Sequence, residues 1–302
     1  MGISKGTLKV LLREVQRRPF WGRVFTLGKQ DIWFSYKFLK ETAKEFGIEL
    51  SKVDEITLSR VPYFADKRYI SDICLFKSLG FSEVKSMDFS EFESADYIFD
   101  LNNGEIPEDL IEKFDVIIDG GTIEHVFHIP NALTNIHKML REGGRIIHFS
   151  PSSNQIDHGF YMFSPTLFHD FYKTNNYDIN NFQLFRFTPR HNVDKWEIYD
   201  YESGCLEQVS FGGLDDGMYG IICIVTKKKD STGDRIPQQG VYLEHWGSWE
   251  KKEVHSKFQM LKDIISRYPF LYKKLRRFYR FILDSNKGRG KKGLGLKIVD
   301  RY

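Results

Sequence analysis

From Glu83 to Phe149 the chain keeps one rhythm. Short β-branched runs, each closed by Asp, Asn, Gly or Ser, alternate with stretches of helical spacing. That alternation predicts a parallel α/β sheet. Its clearest unit is FDVIIDGGTIEH, Phe114 to His125. Val116, Ile117 and Ile118 are consecutive β-branched residues, the composition of a strand buried on both faces. The strand then runs directly into Asp119, Gly120 and Gly121. Such an ending serves either a tight turn or a small-molecule site, because open α/β sheets bind ligands outside the carboxyl ends of their strands.

The flanking segments extend the pattern. Leu8–Gln16 has the spacing of a short amphipathic helix, Arg23–Leu27 reads as a strand closed by Gly28, and Phe34–Phe46 as a helix stopped by Gly47. Ser71–Leu79 is predicted to be helical, with Ser71 as N-cap and Gly80 as stop. Glu83–Met87 and Asp96–Phe99 read as strands ending at Asp88 and at Asp100-Leu101-Asn102. Pro107–Lys113 is predicted as a short helix and Ile129–Leu140 as a longer one, with Arg145–Phe149 as the next strand. Past Pro151 the spacing predicts a helix over Phe163–Tyr172 and strands over Phe182–Phe187, Trp196–Tyr201 and Tyr219–Thr226. An antiparallel pair ending a mostly parallel sheet accommodates these strands.

Strand-to-helix turns favour Gly, Asp, Asn and Ser for conformational reasons alone. Three aspartates after three successive strands are more specific, because they suit a nucleoside. Glycine lets the backbone approach the ligand. A carboxylate at the next strand end can accept hydrogen bonds from both ribose hydroxyls.

These residues resemble a known family. FDVIIDGGTIEHVFHIPNALTNIHKMLREGGRIIHFSPSS resembles the fourth strand, helix and fifth strand of class I S-adenosylmethionine-dependent methyltransferases. MDFSEFESADYIFDLN resembles their second and third strands, and VFTLGKQD their first strand and cofactor loop. The resemblance runs from Arg23 to Thr226 and is specific from Met87 to His158. It implies a doubly wound, mostly parallel seven-stranded sheet with S-adenosylmethionine as cofactor. By that resemblance Gly28 approaches the methionine part, Asp88 takes the ribose hydroxyls, Asp100 and Leu101 lie at the adenine, and Asp119 and Gly120 lie beside the sulfonium. Two departures stand out. The glycine-rich loop is reduced to Gly28-Lys29-Gln30, and the distance from Gly28 to Asp88 exceeds the ~30 residues of one βαβ unit. An insertion there folds over the site or beside it.

Methyl transfer to a hydroxyl or amine needs alignment and a proton acceptor, and histidine is the natural base near neutral pH. His158, after the fifth strand, is the first candidate, with Asp157 to orient it; His125 is the second. His128 and His148 are weaker, His148 because it sits within a strand. Tyr161 and Phe163 are expected to form an aromatic wall for the acceptor. His169-Asp170 is a poor metal pair, since adjacent helical residues diverge by about 100°, and no metal is expected. The absence of a GxSxG elbow at Ser152-Ser153 argues against a hydrolase, and no phosphate-binding P-loop is present in the sequence.

Composition bounds partners and location. Cys74, Cys205 and Cys223 form no CxxC pair, which argues against a disulfide framework or structural zinc. KVLLREVQRR is too short and charged for a signal peptide, and no run approaches the ~18 apolar residues of a membrane span, so a cytoplasmic protein is expected. Glu250–Tyr302 holds 16 Lys or Arg against 5 Asp or Glu, a net of +11, which leaves −8 for the rest of a chain totalling +3. RYPFLYKKLRRFYRFI interleaves cations with aromatics. It suits peripheral contact with an anionic inner membrane face, or a helix packed on the body of the protein. Nucleic acid is the less favoured partner, and an oligomer remains open.

The expected organisation is an N-terminal helix (1–22), a methyltransferase domain (23–230) with an insertion (47–70), and a linker with a basic helical extension (231–302). The expected activity is O-methylation of a sugar, glycan or other small molecule. Two alternatives keep the fold: a nicotinamide-dependent enzyme, which the missing GxGxxG opposes, and a non-catalytic module docking on membrane or RNA.

Overall fold

The computed structural model describes residues 2–189, 195–206, 209, 213–240, 242–243 and 298–302. The chain falls into two units, one of Met1–Tyr201, Gly217–Pro237 and Lys297–Tyr302, the other of Glu202–Asp216 and Gln238–Leu296. Everything below belongs to the first. The segment RYPFLYKKLRRFYRFI, with most of the expected basic helical extension, lies outside the described residues.

The strands are β1 (Gly2–Ile3), β2 (Arg23–Leu27), β3 (Asp31–Ile32), β4 (Glu83–Asp88), β5 (Tyr97–Ile98), β6 (Phe114–Asp119), β7 (Leu140–Ser153), β8 (Asp178–Phe187), β9 (Glu197–Asp200), β10 (Met218–Thr226) and β11 (Ile298–Arg301). The helices are α1 (Lys5–Arg17), α2 (Tyr36–Glu45), α3 (Pro62–Asp66), α4 (Asp72–Ser78), α5 (Ile129–Met139) and α6 (Pro165–Thr174). Caps set several of their starts: Ser4, Ser35 and Ser71 each accept a hydrogen bond from the backbone three residues on.

β1 and β3 form a separate parallel pair, and the other strands form one sheet in the order β11-β9-β8-β10-β7-β6-β2-β4-β5. β5, β4, β2, β6 and β7 are parallel, and β10 runs antiparallel to both β7 and β8. The order turns back at β2, so the sheet is doubly wound, as expected. It holds nine strands instead of seven, because β9 and β11 extend the antiparallel edge. β11 comes from a stretch read in the sequence as basic tail.

β6 is the strand its composition predicts: all six residues are buried. Val116 and Ile118 face the cluster built with Leu8, Leu11 and Leu12 of α1 and with Leu75 and Phe76 of α4. Such burial on both faces supplies most of what orders the sheet centre.

One predicted helix fails. Pro107–Lys113 makes only a single 3₁₀ turn, Glu108–Leu110. The N–H groups of Glu112 and Lys113 instead bond the carbonyls of Lys138 and Met139 at the end of α5. Satisfying those orphan helix-end carbonyls competes with forming a local helix.

Candidate functional site

The order of the sheet reverses between β2 and β6, and there the strand tips open a crevice. Register sets the tips level. Leu27 pairs with Met87 on one side and Asp119 on the other, and Asp88 pairs with Ile98. Gly28, Asp88 and Gly120 therefore emerge side by side. A cavity of about 220 Å³ lies at these tips. Gly28, Asp88, Asp100, Asn102, Thr122 and His125 supply its glycine and polar lining; Met87, Phe89, Phe99, Leu101 and Val126 supply its apolar lining. Small-molecule sites usually span ~300–1,000 Å³, so this volume suits one moiety of a larger ligand. No residue of 47–70 lines it, so the insertion folds beside the site.

The loop after β5 is held from α5. Asn131 Nδ2 donates to Asn102 O at 2.6 Å, Asn135 Nδ2 to Asn103 O at 2.7 Å, and Lys138 Nζ to Gly104 O at 2.7 Å. Asn102 Oδ1 in turn accepts from the N–H of His128, at the start of α5, at 2.9 Å. This fixes Asp100 and Leu101 at the cavity wall. Asp100 Oδ1 accepts from Asn102 N and Nδ2, at 2.9 and 2.7 Å, and Asp88 Oδ1 from Ser90 N at 3.3 Å. The second oxygen of each carboxylate has no hydrogen-bond partner among the described residues. Two half-satisfied acceptors beside apolar walls suit a ligand with vicinal hydroxyls and a flat base.

Two residues expected at the cofactor stand outside this cavity. Asp119 is fully buried and does not line the cavity. Its Oδ1 accepts from Thr122 N at 2.9 Å and Ile123 N at 3.3 Å, while Oδ2 meets His148 Nδ1 at 2.8 Å and Ser150 Oγ at 3.3 Å. His148 Nε2 continues to Tyr172 Oη at 2.6 Å. The carboxylate is spent inside the sheet. Gly120 is also absent from the lining. A Cβ there would come within 2.3 Å of Gln30 Oε1, so a side chain at this position would require the Gln30 amide to shift. Gln30 Nε2 donates to the carbonyls of Leu27 and Gly28 at 3.0 and 3.2 Å, and Thr122 Oγ1 donates to Leu27 O at 2.5 Å. These two side chains hold the loop after β2.

His125 lines the cavity and His158 stands next to it, ring centroids 5.3 Å apart. The carboxylate between them is Glu124, which the sequence reading missed. Its Oε1 lies 3.8 Å from His158 Nε2 and 4.0 Å from His125 Nε2. Burial, and then the nearby Asp119, push the Glu124 carboxyl up to about 8. Burial, and then His158, hold the His125 imidazole below its ordinary value. Asp157 is exposed on a left-handed backbone (φ 69°), and Glu124 takes the place beside His158 that was expected of it.

Phe163 is also corrected. It is buried, donates its N–H to Pro151 O at 2.8 Å and packs edge-on to Phe168, so it belongs to the core. Tyr161 stacks on Phe163, and its hydroxyl donates to Phe127 O at 2.8 Å. The exposed aromatic pair near the histidines is Phe127 with Phe160, centroids 5.8 Å apart at 85°. Neighbouring exposed apolar residues are ambiguous in a sequence, which is why this pair was not singled out. Among the described residues, no helix is long and apolar enough to cross a membrane.

No family model matches the chain, and no curated protein matches it. Similar solved structures include a candidate S-adenosyl-L-methionine-dependent methyltransferase of Methanococcus maripaludis, at 12% identity over 74% of this chain and 85% of that one, TM-score 0.37. A candidate methyltransferase of Bacillus halodurans is 10% identical over 74% and 99%, TM-score 0.38. Phosphoethanolamine N-methyltransferase 2 of Haemonchus contortus, with S-adenosylhomocysteine and phosphomonomethylethanolamine, is 13% identical over 74% and 53%, TM-score 0.38.

Proposed function

We propose that the chain is an S-adenosylmethionine-dependent methyltransferase acting on a hydroxyl of a sugar, glycan or other small molecule. One observation carries the reading. The strand register gathers Gly28, Asp88, Asp100 and Leu101 around a single cavity at the switch point of a doubly wound sheet. When bound, S-adenosylmethionine supplies an electrophilic methyl group. Asp88 would accept the ribose hydroxyls. Asp100 would take the exocyclic amine of the adenine, with Leu101 and Phe99 against its faces. Gly28 leaves room for the aliphatic arm.

The acceptor would enter beside His125 and His158, with Phe127 and Phe160 as its apolar wall. His158 would take the acceptor proton through Nδ1, since its Nε2 faces Glu124 Oε1 at 3.8 Å, with Glu124 in the place expected of Asp157. A positioned base is worth ~10²–10⁴-fold in rate. The exposed aromatic pair supports a sugar or planar acceptor. Contact of the basic segment with an anionic membrane face remains part of the proposal, as does a cytoplasmic location.

Calorimetric titration with S-adenosylhomocysteine tests the cofactor. Micromolar binding in the wild type, at least ~10-fold weaker in Asp88→Ala, is the expected result; one lost charge-assisted bond pair of about 1.5–3 kcal/mol gives that factor. His158→Ala should keep that affinity and lose turnover in a methyl-transfer screen over sugars and small metabolites. No binding of S-adenosylhomocysteine beside tight binding of NADH or anionic vesicles would overturn the assignment.

A further inference from the structure

Glu124, His125 and His158 bring one carboxylate oxygen and two imidazole nitrogens within 4.8 Å of one another. They come from two segments far apart in sequence, the turn after β6 and the loop after β7. The sequence reading weighed only His169-Asp170 as metal ligands and expected none.

The carboxylate is held with some care. The Glu124 side chain is 1% exposed, and its Oε2 is buried with no hydrogen-bond partner among the described residues. Its backbone carbonyl accepts from Tyr161 N at 3.2 Å, which fastens the loop after β7 across it. Gly159 permits that closure, since a Cβ there would lie 2.9 Å from Glu124 O and 3.1 Å from its Cγ. Burying a carboxylate without full partners costs several kcal/mol, so such a group is paired, ligates a metal or holds a proton, and a cation at Glu124 would take that proton's place. The two imidazoles do not satisfy it as they stand. At 3.8 and 4.0 Å their nitrogens are beyond hydrogen-bond range.

We propose that Glu124, His125 and His158 form a binding site for a divalent cation of the zinc class. Two imidazoles and one carboxylate with open positions is a ligand set that zinc and its transition-metal neighbours use where they also bind substrate. Bonds of ~2.0–2.2 Å put ligand atoms about 3–3.5 Å apart. From separations of up to 4.8 Å the rings must therefore close by up to about 1.8 Å. Both rings are partly exposed, at 41% and 54%. Glu124 is the fixed ligand, and the two histidines close on it.

Binding of the cation does not depend on the methyltransferase reading. Its use does, and that part rests on it. The open positions adjoin the cavity through His125, so an acceptor hydroxyl can become a further ligand. Ligation lowers the hydroxyl's pKa. The O–H proton would then pass to solvent, and the oxygen would be ready to accept the methyl group from the sulfonium, whose sulfur would keep the bonding pair. With the cation bound, both imidazole lone pairs are committed to it, and His158 acts as a ligand instead of a free base.

The test uses tag-free full-length protein, stripped with chelator and titrated with zinc sulfate by calorimetry. One zinc per chain is expected. His158→Ala, on an exposed loop, should bind at least ~10-fold more weakly, and Glu124→Gln likewise. His169→Ala should match the wild type. S-adenosylhomocysteine is titrated into each variant in parallel. Unchanged affinity for it in His158→Ala separates loss of the cation from loss of the fold. Failure of the wild type to bind that probe while zinc still binds sinks the methyltransferase reading and leaves the cation site standing. No stoichiometric zinc in the wild type, unaltered zinc affinity in His158→Ala, or an equal loss in His169→Ala overturns the site.

Discussion

Asp88 and Asp119 occupy equivalent places, each ending a parallel strand beside β2, yet their side chains do different work. Asp88 lines the cavity with one oxygen unspent, whereas Asp119 is enclosed by four donors, the backbone of Thr122 and Ile123 and the side chains of His148 and Ser150. Substitution therefore separates them. Asp88→Ala acts on ligand affinity with little effect on stability. Asp119→Ala leaves buried N–H groups and the His148 ring without their acceptor, at a cost of about 3–5 kcal/mol, because several buried donors lose their partner where no water can replace it. Urea unfolding of the two variants checks this. Equal midpoints would mean that the Asp119 network contributes nothing. The sequence shows both residues as acids at strand ends. Only the pairing of β6 with β7, which sets His148 opposite Asp119, decides which one turns inward.

Elements whose signal is local were legible. The β-branched run of β6, the Ser71 cap of α4 and the glycines after α2 and α4 follow from neighbouring residues alone. Elements that depend on distant partners were not. The segment Pro107–Lys113 gives up its helix to bond the end of α5, and β11 is a strand only because β9 offers an edge. For the site the division is the same. The tips at Gly28, Asp88 and Asp100 were readable from turn chemistry, while the burial of Glu124 depends on Gly159 and Tyr161 from another loop. One such distant contact fastens α1 to the sheet. Arg145 Nη1 reaches Glu14 Oε1 and the carbonyl of Arg18, and Nη2 reaches Pro19 O at 3.1 Å. Both side chains are 3% exposed. Glu14→Ala strands the guanidinium and is expected to cost about 3–5 kcal/mol, whereas replacing both residues by Met costs far less. A double-mutant cycle by chemical denaturation measures the difference; additive losses would show that the pair is not coupled.

At the scale of the whole molecule, α5 is the hub through which the sheet meets the segment after β10. His137 Nδ1 lies 2.6 Å from Tyr177 Oη, Lys227 Nζ donates to the carbonyls of His137 and Leu140 at 3.0 and 2.7 Å, and Thr134 Oγ1 donates to Gly233 O at 2.7 Å. Burial, and then the positive Lys227, bring the His137 imidazole down to about 4 from its ordinary 6.5; Asp234 and Glu112 oppose this and Lys138 assists it. Between those two values the unfolded chain binds a proton that the folded chain refuses. The contribution to stability is therefore whole above pH 6.5 and drains away as the pH falls towards 4. Because the ring is partly open to solvent, the loss is of order 1–2 kcal/mol. Comparing urea midpoints of wild type and His137→Gln at pH 7 and pH 4.5 isolates this residue from the carboxylates that also titrate in acid. The wild type should lose more stability over that interval than the variant. Parallel losses would place the acid sensitivity of the junction elsewhere, since no group but the ring differs between the two chains.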